Sequence, residues 1–266
     1  SALERNTIPR LLSVATVTRR VAARPRDYVR VAGPDAEDFL QRMLSNDVTA
    51  APCPALLLTA KARVIAPLAV VRRGPDDFLL LTEPALGETV RATLHRARFA
   101  AKVEIEPEEH TSVVVFGEDG ALPNREFGET GAELLDTDLE PTLSGEELER
   151  MRIEAGVPAW GKELDDSILP AEAGLDETHV SFTKGCYPGQ EPIARLRHRG
   201  KANRSLRVLE IDSAQPGEEV RHGEKVVGRV TSAVPGRALA YVRVEVPFDA
   251  ELEVGTVRKT ARSLAP

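Results

Sequence analysis

The sequence predicts an α+β protein followed by a small β-barrel. Two observations carry this. A strand–turn–helix unit stands near the start of the chain, and its opening recurs after residue 110. From Arg207 onward the chain breaks into short apolar strands split by Pro-Gly and Gly turns, the texture of a small barrel or sandwich. The length of 266 residues suits one large domain and a small one, because single cores stop growing near ~250 residues. Residues 1–203 are therefore expected to form an α+β region of two related halves, approximately 20–106 and 107–203. Residues 204–266 are expected to form the barrel.

The elements follow in order. Asp27–Val31 alternates apolar and polar residues and reads as a half-buried strand. Gly33-Pro34-Asp35 turns the chain, and Asp35 can cap a helix over Ala36–Leu44 whose Phe39, Leu40, Met43 and Leu44 share a face. Strands are expected at Ala55–Thr59, Val64–Val71 and Phe78–Thr82, the last two joined by Gly74-Pro75-Asp76. Pro84–Arg98 reads as a helix and Val103–Ile105 as a short strand. Thr111–Phe116, Gly117 and the acids Glu118 and Asp119 then echo the first unit. Ser144, with Glu147 three residues on, opens a helix through Met151. Barrel strands are expected at Val208–Ile211, Glu219–Val220, Lys225–Thr231, Ala238–Val246 and Glu251–Val257.

Bulk properties exclude several function classes. A net charge of −7 gives no overall nucleic-acid footprint, so no direct DNA binding is expected. The two cysteines, Cys53 and Cys186, offer neither a disulfide framework nor a four-cysteine metal site, and no permanently bound metal is expected. No apolar run approaches the ~20 residues that span a bilayer. The start does not read as a signal peptide. Cytoplasmic localisation and a monomer are the default expectations.

The chemistry concentrates between Arg152 and Arg195, a stretch poor in periodicity but rich in glycine, proline and polar groups. Its apolar anchors (Ile153, Trp160, Leu164, Ile168, Leu169, Phe182) imply order. Within it, Lys184-Gly185-Cys186-Tyr187-Pro188-Gly189-Gln190-Glu191 sets a cysteine between two glycines with an ammonium two residues before it. Such an ammonium favours thiolate over thiol, and a thiolate is a soft nucleophile and ligand. Tyr187 offers a flat face for stacking, while Gln190 and Glu191 add an amide and a carboxylate; hydrogen bonding within the loop is the plain alternative. Glu154 can accept paired N–H bonds or form a helix-end ion pair with Arg150 or Arg152. Arg195, Arg197, His198, Arg199, Lys201, Arg204 and Arg207 form a basic cluster, either a patch for an anionic group or a solvated face.

The run Lys184–Glu191, with Arg195 behind it, resembles the K-G-C-Y-x-G-Q-E signature of the YgfZ-type folate-binding proteins, relatives of the glycine-cleavage aminomethyltransferase. Arg152–Pro158 with Gly161, Leu169-Pro170 and Glu172 is similar to that family's central segment. Gly33–Gln41 with Asn46-Asp47-Val48 resembles its first unit, and Gly228–Ser232 with Leu239–Arg243 its terminal barrel. The resemblance implies ferredoxin-like α+β subdomains around a central cavity plus the C-terminal barrel. It implies tetrahydrofolate or a one-carbon derivative as cofactor, and iron–sulfur client proteins, including tRNA-thiomethylating enzymes, as partners. Glu154 matches the glutamate that holds the pterin. Cys186 and Lys184 are then the catalytic candidates, and Glu154, Tyr187, Gly189, Gln190, Glu191 and Arg195 the cofactor-binding ones.

One departure bears on activity. Where the aminomethyltransferases place a functional aspartate, this chain has Pro67, or Ala66 in the neighbouring register. Neither side chain accepts a bond from the folate, which argues against aminomethyl transfer. A folate-dependent aminomethyl- or methyltransferase would need another carboxylate, such as Glu172 or Asp176. A scaffold that has lost folate is the third reading. The cysteine is open to two roles, a redox thiol or a transient ligand to iron or persulfide.

Overall fold

The computed structural model describes residues 19–200, 202–255 and 258–264. Lys201 of the basic cluster, and residues 256 and 257 of the strand expected over 251–257, fall outside them.

β1 (Val21–Ala23) is followed by β2 (Asp27–Ala32), α1 (Ala36–Met43), β3 (Cys53–Leu58), β4 (Val64–Gly74), β5 (Asp77–Thr82), α2 (Gly87–Ala97) and β6 (Glu104–Glu108). Five of these strands form an antiparallel sheet in the order β3-β4-β5-β2-β6. The period-2 alternation sends Val29, Val31, Leu57, Ala66, Val70 and Leu80 to one face. There they pack on Phe39, Leu40 and Leu44 of the α1 region and on Val90 and Leu94 of α2. α1 starts at Ala36 as expected, but its cap and the start of α2 differ from the sequence reading through bonds made across the fold. Asp35 makes no cap bond to α1; its Oδ2 accepts the Lys102 N–H at 2.8 Å. α2 begins at Gly87 because Asp27 on β2 accepts that N–H at 2.9 Å.

The second unit holds β7 (Ser112–Phe116), β8 (Pro123–Asn124), β9 (Gly131–Leu135) and α3 (Gly145–Glu154). Its sheet order is β1-β7-β9-β8, so the first strand of the chain crosses into the second half, with Val21 opposite Val115. The five-stranded sheet thus draws its strands from Asp27 to Glu108, and the four-stranded sheet combines β1 with the strands after Thr111. No helix follows Gly117, so the echo of the first unit stops after its strand and turn. The anchors Leu164 and Ile168, together with Tyr187, pack with Leu56 and Leu58 of β3 and with Ile193 of α4 (Gln190–Arg199). That helix occupies the end of the stretch read as irregular.

β10 (Arg204–Ile211), β11 (Glu219–His222), β12 (Lys225–Val234), β13 (Gly236–Arg243), β14 (Glu251–Val254) and β15 (Lys259–Ser263) close a barrel in the order β10-β13-β12-β11-β14-β15. Leu209, Val220, Val230, Ala240, Leu252 and Val254 fill it. A buried polar knot docks the barrel. Arg152 of α3 donates to Glu163 at 2.8 Å and to Ser232 on β12 at 3.0 Å, and the Ser232 hydroxyl donates to Glu163 at 2.6 Å. Tyr241 on β13 donates its phenol to the Glu163 carbonyl at 2.9 Å. The remaining Glu163 oxygen capacity is met by the Ala159 N–H, so each charge in the knot is paired and hydrogen-bonded, as burial requires.

Candidate functional site

A cavity of about 880 Å³ lies where the two sheets and the barrel meet. That volume is within the range of small-molecule and cofactor sites, roughly 300–1,000 Å³. Pro54 on β3 and Pro67 and Ala69 on β4 form one wall, Asn124 and Glu126 a second, and Ser205, Arg207 and Phe248 of the barrel region a third. Glu154, Ala155 and Gly156 close it from the end of α3.

Glu154 is the last residue of α3 and is exposed, with its nearest cation, Arg150, at 3.6 Å, beyond hydrogen-bond reach. Arg152 turns away into the barrel knot. The carboxylate thus forms the helix-end ion pair with Arg150, without a hydrogen bond to it, and keeps capacity to accept donors from a ligand in the cavity. At β4 the pleat separates the two candidate positions. Ala66 is fully buried on the helix side, whereas Pro67 faces the cavity with its carbonyl accepting the Thr82 hydroxyl at 2.9 Å. Glu172, offered as a substitute carboxylate, lines the cavity but is engaged by the Leu169 N–H and by Arg204 at 3.2 Å. Asp176 does not line it.

The cavity floor carries an ion network that sequence reading missed. Arg26 donates to Glu133 at 2.6 Å and to Glu126 at 2.8 Å, Arg24 donates to Glu126 at 2.7 Å and pairs with Glu83, and Asn124 donates to Glu133 at 2.9 Å. Burial opposes the Glu126 charge, but Arg26 and Arg24 outweigh it and hold the carboxyl at about 2. His179 also lines the cavity, and burial pushes its imidazole down to about 4, so it is neutral near pH 7. These partners lie up to 107 positions apart in the chain, and no local signal marks them.

The basic cluster divides. Arg207 is buried, donates to the carbonyls of Val246 at 2.7 Å and Arg243 at 3.3 Å, and stacks over Phe248. Arg204 stacks over Tyr241. Arg195, Arg197 and His198 stay exposed on α4, with Arg197 over the Phe182 ring at 3.8 Å.

The cysteine loop differs from its expected place. Cys186 is exposed, as a reactive sulfur must be, yet no residue of Lys184–Glu191 lines the cavity that holds Glu154. Lys184 is not poised over the thiol. Its ammonium donates to the carbonyls of Leu44 at 2.8 Å and Asn46 at 2.7 Å and sits 5.5 Å from the Tyr187 ring centre. Burial pushes it down to about 8 against the pull of Asp47. Tyr187 is buried among apolar side chains and offers no stacking platform. Gly189 has φ +86°, and a Cβ there would lie 2.8 Å from the Thr59 carbonyl oxygen, so its glycine serves a close backbone approach. Gln190 opens α4, and Glu191 pairs with Arg195 across one exposed turn at 2.8 Å. The five residues Tyr187, Gly189, Gln190, Glu191 and Arg195 thus build the loop and its helix rather than the cavity wall. Cys53 is half-buried; burial and then the Asp47 charge push its thiol up to about 11, leaving Cys186 as the accessible sulfur.

Among the described residues no group of three or more His, Cys, Asp or Glu side chains is arranged to hold a metal ion. No helix among them is long and apolar enough to cross a membrane.

Comparison with known proteins adds four findings. Residues 195–265 match the family described as CAF17, C-terminal beta-barrel domain. The chain is 29% identical to the tRNA-modifying protein YgfZ of Cronobacter sakazakii, over 85% of this chain and 83% of that protein. It is 27% identical to the mitochondrial iron-sulfur cluster assembly factor IBA57 of Mus musculus, over 80% and 72%. In structure it is similar to the glycine cleavage system aminomethyltransferase T from Bartonella henselae, with a TM-score of 0.79 at 19% identity, covering 93% of this chain and 85% of that one. The last likeness fixes the scaffold: two α+β units around a cavity, with the barrel as the third wall.

Proposed function

We propose that the chain, similar to YgfZ and IBA57 in sequence and to an aminomethyltransferase in fold, is a tetrahydrofolate-binding accessory protein for iron–sulfur enzymes. Its YgfZ and IBA57 relatives are named for tRNA modification and for iron–sulfur cluster assembly, and a role in one of these processes is the coarse form of the reading. The finer form rests on one observation: a ligand-sized cavity presents the Glu154 carboxylate, paired with Arg150 of its own helix, while Cys186 is exposed outside the cavity lining.

The residues present fit a reduced pterin. Glu154 would accept its paired N–H donors, and Ala155, Gly156 and Pro67 would leave room for a flat ring. When bound, a reduced folate supplies a nitrogen site for a one-carbon unit. This chain adds no carboxylate there, since Pro67 holds the expected position and Glu172 is already paired. Aminomethyl transfer is accordingly the weaker reading.

Cys186 acts at the surface, where an iron–sulfur client can reach it. A single thiolate does not hold a cluster, so any metal contact takes its other ligands from the client. The test is complementation. In a bacterial strain lacking its own YgfZ, the wild-type chain should restore iron–sulfur enzyme activity, and Cys186→Ala should not, while its circular dichroism stays native. Full rescue by Cys186→Ala would remove the thiol from the mechanism.

A further inference from the structure

The cavity and the exposed thiol are separate places, but one short turn is bonded to both. All three carbonyls of Leu44, Ser45 and Asn46 are taken by the segment that leads to Cys186. The Lys184 ammonium donates to the first and the third, and the Ser181 N–H donates to the second at 3.0 Å. The side chains of the same turn reach the cavity wall. The buried Ser45 hydroxyl donates to the His179 carbonyl at 2.6 Å and accepts the Leu56 N–H at 2.8 Å. The Asn46 amide donates to the carbonyls of Pro54 at 2.7 Å and Thr178 at 3.2 Å. Pro54, Thr178 and His179 all line the cavity. Residues 178–184 therefore run from the wall to the thiol loop, pinned at both ends to one turn.

We propose that the Leu44–Asn46 turn couples occupancy of the cavity to the reactivity of Cys186, with Lys184 as the positioning residue that transmits it. The proposal rests on the reading of the cavity as a reduced-folate site. A ligand seated against Thr178 and His179 bears on carbonyls that Ser45 and Asn46 hold, and any shift of the turn moves the two carbonyls that anchor Lys184. Polar networks of this kind have discrete arrangements, because a buried donor that loses its acceptor costs free energy. Lys184 then serves as an anchor for the loop rather than as a base or counter-charge for the sulfur.

The experiment uses the full chain in a Cys53→Ser background, so that Cys186 is its sole thiol. Its rate of reaction with a disulfide reagent is measured with and without saturating 5-formyltetrahydrofolate, and binding is measured separately by calorimetry. The ligand should change the rate by at least about fivefold, the lower end of ordinary coupling between sites. In Lys184→Met the ligand should still bind, with the rate the same in its presence and absence. Should that variant not fold, Asn46→Ala, which cuts the link to Pro54 and Thr178, should give the same result. A bound ligand that leaves the wild-type rate unchanged would overturn the coupling, as would an equal effect in the variant. Absence of binding would instead overturn the folate reading, and this proposal with it.

Discussion

His110 lies between two carboxylates, with Nδ1 2.6 Å from Asp136 and Nε2 2.9 Å from Glu108. Ionised carboxylates only accept, so both ring nitrogens must donate, and the ring is an imidazolium in this arrangement. The bonds from Glu108 and then Asp136 accordingly raise the histidine above its ordinary value near 6.5, against a smaller effect of burial. Arg73 holds Glu108 from its other side. A group raised on folding contributes stability that is complete below its unfolded value and is lost as pH rises through the folded one. Wild type should therefore melt above His110→Gln below the histidine's ordinary value near 6.5, and the gap should shrink as pH rises above it. A gap that is constant or grows with pH would contradict the imidazolium clamp. Single residues were legible where their role is local. Ser144 was found as a cap from its own spacing to Glu147. The Lys184 role was misread because its partners, Leu44 and Asn46, stand about 140 positions away.

At the scale of elements, α3 shows what a local signal can specify. The Ser144 hydroxyl accepts the Glu147 N–H, and the Glu147 carboxylate accepts the Ser144 N–H at 2.7 Å, a reciprocal cap. Since α3 ends at Glu154, its first turn helps aim the carboxylate. Ser144→Ala should lower stability by about 1 kcal/mol in urea unfolding. An unchanged midpoint would show that packing against the barrel alone holds this helix. α4 escaped sequence reading because its N-cap is Gly189, with no capping side chain, and Arg195, Arg197 and His198 leave little apolar stripe beyond Ile193 and Leu196. Pro192 sits in its first turn, where a missing N–H costs nothing. β1 was missed because three residues carry no period of their own and gain their place only from Val113–Val115.

The molecule as a whole was more legible than its cavity. Alternation and turn residues announced the barrel, and the boundary expected near Asn203 falls one residue before β10. What joins the parts is non-local. Ser232 and Tyr241 meet Arg152 and Glu163 across 69–80 positions, and Arg26 meets Glu126 and Glu133 across 100 and 107. No pattern in the chain pairs them. The same non-locality leaves the thiol loop outside the cavity lining, so the Cys186 thiol and the Glu154 carboxylate stand at two places in the folded chain. The reading therefore stands on the cavity first. Calorimetric titration of tetrahydrofolate into wild type and Glu154→Ala tests it directly. Removing a charged acceptor should weaken binding roughly 10- to 100-fold, with the free protein's Tm unchanged, because Glu154 is exposed and holds no other element. Equal affinity in the two proteins, or no heat in either, would contradict the account.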